Sequence, residues 1–234
     1  RYDRSHAKIV GAEALVRWID ANGKCKSPME FIPVFEANGF IYKLDCFMWE
    51  MVCKVIRRWL DVGRQPLPIS VNVSRTYLQK EDVAGYIKNL IDKYQIPMEL
   101  FQLEITETTE NAESLSYINS LKQAGFTLLM DDFGSGYSSL CMLKNTPFDV
   151  LKMDRQFLDE CLDSKQGKTI ISHVISMSND LGLSIIAEGV ENRGTADFLY
   201  DNGCSVSQGF YFSKPVPIPE FEHMLDEQQT EQQR

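Results

Sequence analysis

The sequence predicts an α/β fold, a modified TIM-like (β/α)8 barrel, and two observations support this prediction. Short β-type runs alternate with longer helical patterns along almost all of the 234 residues, and such alternation indicates a parallel sheet. Seven strand candidates in this order suit a closed barrel better than an open sheet, although a barrel normally has eight strands. We therefore expect that the first strand is missing upstream of Arg1, or that one predicted segment contains two strands.

The strand candidates are short runs rich in apolar residues, and glycine, proline and polar residues lie at the junctions. They are predicted over 7–18, 67–74, 101–108, 126–132, 148–154, 183–191 and 204–213. Helical patterns are predicted over 41–63, 81–95, 112–124, 165–181 and 192–202. The clearest, 41–63, repeats apolar residues at helical spacing and stops at Gly63. No linker interrupts the series, so we predict one domain over 1–225 and a frayed polar tail over 226–234.

The composition excludes several classes of protein. The formal net charge of -9 argues against a protein that follows long nucleic acids through their phosphates. An acidic chain that binds an anionic substrate would need cations to offset the repulsion. The six cysteines show neither zinc-site nor disulfide spacing, which favours a reducing cytoplasm. No apolar run approaches the roughly 18–20 residues of a membrane span.

Polar residues recur where the predicted strands end, which is where TIM barrels carry their chemistry. These residues are Glu13, Asn72, Glu104, Asp131, Asp132, Lys152, Glu188 and Gln208. The carboxylate and amide oxygens among these side chains select hard ions such as Mg²⁺ or Mn²⁺, with Ca²⁺ as an alternative. Adjacent aspartates suit a two-metal site. Taken singly, each residue could be a solvated loop or turn residue. Their recurrence at nearly every strand end favours a metal-dependent active site.

Seven blocks of the sequence resemble the signature of EAL domains, the phosphodiesterases of the bacterial second messenger cyclic di-GMP. The blocks are "AEALVRW" (12–18), "VNVS" (71–74), "LEITET" (103–108), "MDDFGSGYSSL" (130–140), "LKMDR" (151–155), "IIAEGVEN" (185–192) and "QGFYFSKP" (208–215). They occur in the family order over essentially the whole chain. Ser135 stands where the family commonly has threonine, and the strand that usually precedes "GAEAL" is not recognised.

The resemblance implies hydrolysis of cyclic di-GMP to linear 5′-pGpG with two Mg²⁺ or Mn²⁺ ions, Ca²⁺ being a non-productive occupant. The implied metal ligands are Glu13, Asn72, Glu104, Asp131 and Asp132. The implied catalytic residues are Glu188, which activates the attacking water, Lys152, which orients it, and Glu107, which anchors the loop after the aspartates. The implied substrate-binding residues are Arg17, Gln208 and Glu191.

The same resemblance implies a homodimer in the bacterial cytoplasm, or the cytoplasmic part of a membrane-anchored protein. It also implies fusion to sensory or GGDEF domains, and it implies no long nucleic acid as a partner. An EAL domain can alternatively be catalytically silent and act as a cyclic di-GMP receptor or interaction module. Silent members usually lose metal ligands or the loop motif, and this chain retains both, so the sequence favours the enzyme.

Overall fold

The computed structural model describes residues 1–74, 82–106, 112–134, 143–144 and 146–232, except the side chains of 112–114 and 232. These residues fall into two compact units. The first unit contains 1–11, 130–134 and 149–232 of the described residues. The second contains 12–74, 82–106, 112–129, 143–144 and 146–148. That residues 1–225 act as one domain stays a prediction.

Five short strands precede the first two helices, and the later strands and helices of the described residues are interspersed. The strands are β1 (Tyr2–Asp3), β2 (Lys8–Ile9), β3 (Ala12–Glu13), β4 (Trp18–Ile19), β5 (Cys25–Lys26), β6 (Ile69–Asn72), β7 (Phe101–Thr106), β8 (Thr127–Phe133), β9 (Val150–Met153), β10 (Ser184–Ala187) and β11 (Val206–Ser207). The helices are α1 (Pro28–Ala37), α2 (Ile41–Asp61), α3 (Val83–Tyr94), α4 (Ala112–Gln123), α5 (Arg155–Leu162), α6 (Lys165–Asp180), α7 (Arg193–Asp201) and α8 (Ile218–Gln232), with a 3₁₀ turn at Met98–Leu100.

In the first unit, β9, β10 and β11 are parallel neighbours, and β1 pairs antiparallel with both β11 and β2. The register sets Lys152 opposite Ile186 and Ala187 opposite Ser207. Strands β9 and β10 are apolar apart from Lys152 and Ser184, as expected for parallel strands buried on both faces. The carboxyl ends of β9, β10 and β11 are therefore brought side by side.

In the second unit, β3, β6 and β7 are parallel neighbours, and β4 and β5 form a separate antiparallel hairpin. The register sets Asn72 of β6 opposite Glu104 of β7. Helix α2 packs on β6 through an apolar face that includes the fully buried Trp49 and Ile56. The burial of this face explains why the strongest helical pattern in the sequence was correctly predicted.

The structure divides the segment 7–18, predicted as one strand, into β2, β3 and the first residue of β4. The alternative that one segment contains more than one strand is thus confirmed, whereas a missing strand upstream of Arg1 stays a prediction. Strands β1 and β5 and helices α1, α5 and α8 were not predicted. Residues 226–232 belong to helix α8, in which Leu225 is buried and the side-chain amide of Gln228 bonds the backbone N–H and C=O of Ile9 in β2. That the segment 226–234 is frayed stays a prediction.

No helix in the described part of the chain is long and apolar enough to cross a membrane.

Candidate active site

A buried lysine lies at the centre of the first unit's candidate site. The Lys152 side chain on β9 is only 1% exposed. Its Nζ lies 2.7 Å from Oδ1 of Asp131 on β8 and 2.7 Å from Oε1 of Glu188, the residue that follows β10. A buried ammonium is costly unless it is paired with charge, and two carboxylates provide that pairing here. Three residues predicted from separate strands are thus brought together.

Gln208, the residue after β11, extends this cluster. Its Nε2 donates a hydrogen bond to Glu188 Oε1 at 3.0 Å, so one carboxylate oxygen is bound by both an amide and an ammonium. The backbone N–H of Glu188 donates to Met153 (3.0 Å), and that of Gln208 donates to Ala187 (2.8 Å). Both residues therefore continue the strand pairing, and this fixes where their side chains begin.

Asp132 has an unusual backbone conformation near the end of β8. Its φ is +57°, in the left-handed region that residues other than glycine seldom occupy. Asp131, one residue earlier, has an ordinary conformation and is buried, whereas Asp132 is half-buried. The two adjacent aspartates therefore have different environments. The loop predicted to follow, including Ser135, lies outside the described residues, and so does Glu107.

Glu191 occupies a more exposed position near the same strand ends. Its Oε1 lies 2.7 Å from Nη1 of Arg155, and both side chains are about half exposed. The stem of Arg155 covers Gly189, where a Cβ would lie 2.4 Å from Cγ of the arginine. Arg155 was not predicted as a site residue, although it closes the "LKMDR" block. Its contacts tie α5 to the segment that carries Glu188 and Glu191.

The second unit carries three predicted metal ligands on neighbouring parallel strands. Glu13 ends β3, Asn72 ends β6, and Glu104 lies opposite Asn72 on β7. Glu104 is 1% exposed and accepts a hydrogen bond from the hydroxyl of Ser70. Asn72 is exposed and Glu13 half-buried. The unit thus presents three oxygen-donor side chains on adjacent strands, the donor type that Mg²⁺ and Mn²⁺ take.

An open pocket of about 330 Å³ lies beside these strand ends. Its lining includes Arg17, Asn72, Ser74 and Asp45 of α2. Arg17 is exposed, and its Nη1 donates to the neighbouring carbonyl of Val16 at 2.8 Å. Asp45, which sequence reasoning missed, is 6% exposed, and burial raises its pKa to about 6 against hydrogen bonds from Ser74 that lower it. An acidic side chain buried in a pocket wall is a typical functional-site feature.

The predicted ligands fit a metal ion through the type of their donor atoms. Within either unit, the described residues include no group of three or more His, Cys, Asp or Glu side chains that could hold a metal ion. The predicted donors are nevertheless all carboxylate or amide oxygens, which suits a hard divalent cation and not zinc.

Comparison with known proteins gives consistent matches. The family model described as "EAL domain" matches residues 1–215. The chain is 37% identical to the signaling protein YkoW of Bacillus subtilis over 96% of its length and 28% of that protein. It is 34% identical to the cyclic di-GMP phosphodiesterase RocR of Pseudomonas aeruginosa over 93% of its length and 55% of RocR. The chain therefore spans about a quarter to a half of these relatives.

Among solved structures, the chain resembles one described as "PaMucR Phosphodiesterase, c-di-GMP complex". The TM-score is 0.87 at 31% sequence identity, and the likeness covers 94% of this chain and 90% of that one.

Proposed function

Because the chain belongs to the EAL domain family, we propose that it is a metal-dependent phosphodiesterase that hydrolyses cyclic di-GMP to linear 5′-pGpG. Family membership confirms the resemblance read from the sequence, together with the α/β, TIM-like barrel fold class. RocR is named a cyclic di-GMP phosphodiesterase, and the PaMucR structure is named a c-di-GMP complex. Both names support cyclic di-GMP as the substrate.

The observation that carries the proposal is the position of Lys152 between Asp131 and Glu188. Hydrolysis of a phosphodiester needs a base for the attacking water and a cation beside the developing negative charge. Glu188, held by Lys152 and Gln208, would accept the proton of that water. Lys152 would orient the water and balance the charge of the two carboxylates.

The remaining roles follow the family pattern. We propose that Glu13, Asn72, Glu104, Asp131 and Asp132 hold two Mg²⁺ or Mn²⁺ ions, with Ca²⁺ binding unproductively. When bound, such ions lower the pKa of water and neutralise phosphate charge. Arg17, Gln208 and Glu191 would bind the substrate, and Glu107 would anchor the loop after the aspartates. A cytoplasmic homodimer fused to sensory or GGDEF domains belongs to the same proposal.

The experiment is incubation of the chain with cyclic di-GMP and Mg²⁺ or Mn²⁺, with pGpG measured by chromatography. We expect Glu188→Gln to lower turnover by about 100-fold or more, since a general base contributes on the order of 10²–10⁴, while cyclic di-GMP still binds. Glu160→Gln, the same change on the exposed surface of α5, is the matched control. Binding of cyclic di-GMP by the unsubstituted chain without turnover would favour the silent receptor, and undiminished turnover in Glu188→Gln would remove its assigned role.

A further inference from the structure

One face of helix α2 contacts the backbone that carries a proposed metal ligand. Asp45 and Trp49 are four residues apart on this helix and therefore lie on the same face, about one turn from each other. Both are polar groups in buried positions, the carboxyl residue 6% exposed and the indole fully buried. Buried polar groups need hydrogen-bond partners, and both find one in the second unit.

Their partners lie within three consecutive residues at the end of β6. The indole Nε1 of Trp49 donates to the carbonyl oxygen of Asn72 at 3.1 Å. The backbone N–H of Ser74 donates to Oδ2 of Asp45 at 3.0 Å. Between them, the N–H of Val73 donates to the carbonyl of Glu104 on β7 at 2.9 Å. The backbone of 72–74 is thus fixed from two directions, by side chains of α2 and by the adjacent strand.

Asn72 needs this support more than a residue in the middle of a strand does. It is the last residue of β6, its side chain is exposed, and it borders the open pocket. Few neighbouring groups therefore restrict the Asn72 side chain, so the position of its amide depends on the position of its own backbone. Ligand geometry tolerates only about 0.5 Å of error, and residues behind the ligands are needed to maintain it.

We propose that Trp49 and Asp45 are positioning residues that hold the end of β6 so that Asn72 presents its amide oxygen to a divalent cation. The inference rests on the proposed function, because it takes Asn72 as a metal ligand. It adds two residues on α2 that lie outside the family sequence blocks. It also assigns a role to their buried polar groups, which is to position the backbone of Asn72. Both residues would act through the backbone of β6, and neither is proposed as a metal ligand.

The test measures Mn²⁺ binding by titration calorimetry on the whole chain without substrate, so that activity is not the only readout. Trp49→Phe removes the indole N–H and keeps an aromatic ring in the core. We expect Mn²⁺ affinity to fall about 10-fold or more, in the range of 10–100-fold seen when a residue behind a metal ligand is lost. The matched control is Trp59→Phe, the same change at a buried site about 15 Å farther along α2, with wild-type affinity expected.

Asp45 is tested by a conservative pair. Asp45→Asn keeps an oxygen that accepts from Ser74 N–H, so near-wild-type Mn²⁺ affinity is expected. Asp45→Leu removes the acceptor, and its affinity should fall as in Trp49→Phe. Thermal unfolding of every variant separates a loss of affinity from a loss of fold.

Wild-type Mn²⁺ affinity in folded Trp49→Phe and Asp45→Leu, with weakened binding in Asn72→Ala, would overturn the inference and leave the proposed function intact. Unchanged affinity in Asn72→Ala would instead overturn the ligand assignment, and with it the inference.

Discussion

Replacement of Lys152 by methionine tests the buried cluster directly. The substitution removes an ammonium that is 1% exposed and lies 2.7 Å from each of two carboxylates, whose side chains are 11% and 17% exposed. With an effective dielectric constant of about 20, Coulomb's law gives about 6 kcal/mol of gross attraction for each pair at this distance. Desolvation of the three ions offsets much of this, so the expected net loss is about 3–5 kcal/mol, as when one partner of a buried pair is removed.

Urea unfolding at neutral pH, followed by circular dichroism, measures this loss as a lower midpoint with an unchanged slope. For a chain of this size the same loss lowers Tm by roughly 6–20 °C. Lys93→Met is the control, since Lys93 pairs with Glu50 at 3.0 Å but is 59% exposed, and only a small fraction of the effect is expected there. The double variant Lys152→Met/Glu188→Gln should recover part of the stability, because it leaves fewer unpaired charges. A loss below about 1 kcal/mol for Lys152→Met would refute the reasoning.

Two further predictions concern stability. Burial raises the pKa of Asp45 from 3.8 to about 6, so between pH 4 and 6 the native state binds more protons than the unfolded state, and wild-type stability falls as pH rises. The stability of Asp45→Asn relative to wild type should therefore grow by roughly 3 kcal/mol between pH 4 and pH 7, and a pH-independent difference in urea unfolding would contradict the raised pKa. Gly209→Ala should lower stability by about 1–3 kcal/mol more than Gly23→Ala, by the usual cost of overpacking, because a Cβ at Gly209 lies 2.3 Å from the backbone of Val190 whereas Gly23 has open space. Equal losses of urea stability in these two variants would refute the close contact.

Periodicity predicted the elements whose side chains repeat on one face. Helix α2 was found because its apolar stripe is long, and β6 and β7 were found because apolar and polar residues alternate in them. Helix α1 was missed because Pro33 lies inside it and an internal proline argues against a helix. Pro28 at its start and the capping-box spacing of Ser27 and Glu30 are nevertheless start signals visible in the sequence. The sequence of α1 thus contains evidence both for and against a helix.

Site residues were likewise predictable only where a local pattern in the sequence marks them. Lys152 and Glu188 could be proposed because each is a polar residue at the end of an apolar strand, and this position is visible in the sequence. Asp45 and Trp49 could not, because an aspartate and a tryptophan on an amphipathic helix usually mean a solvated carboxylate and a core ring. Their hydrogen bonds reach residues 29 and 23 positions away. Such contacts exist only once the helix is packed on the strand, so local patterns cannot predict them.

The amide of Gln228 connects the last helix to an outer strand of the sheet. Strand β2 is the outermost strand beside β1, and an edge strand offers unpaired N–H and C=O groups to any other extended chain. A glutamine amide carries the same donor and acceptor as a peptide group, and here it bonds both the N–H and the C=O of Ile9. The helix thus occupies the place that a strand of a second molecule would take. Helix α8 therefore covers the backbone groups through which an extended segment of another chain would pair with Ile9.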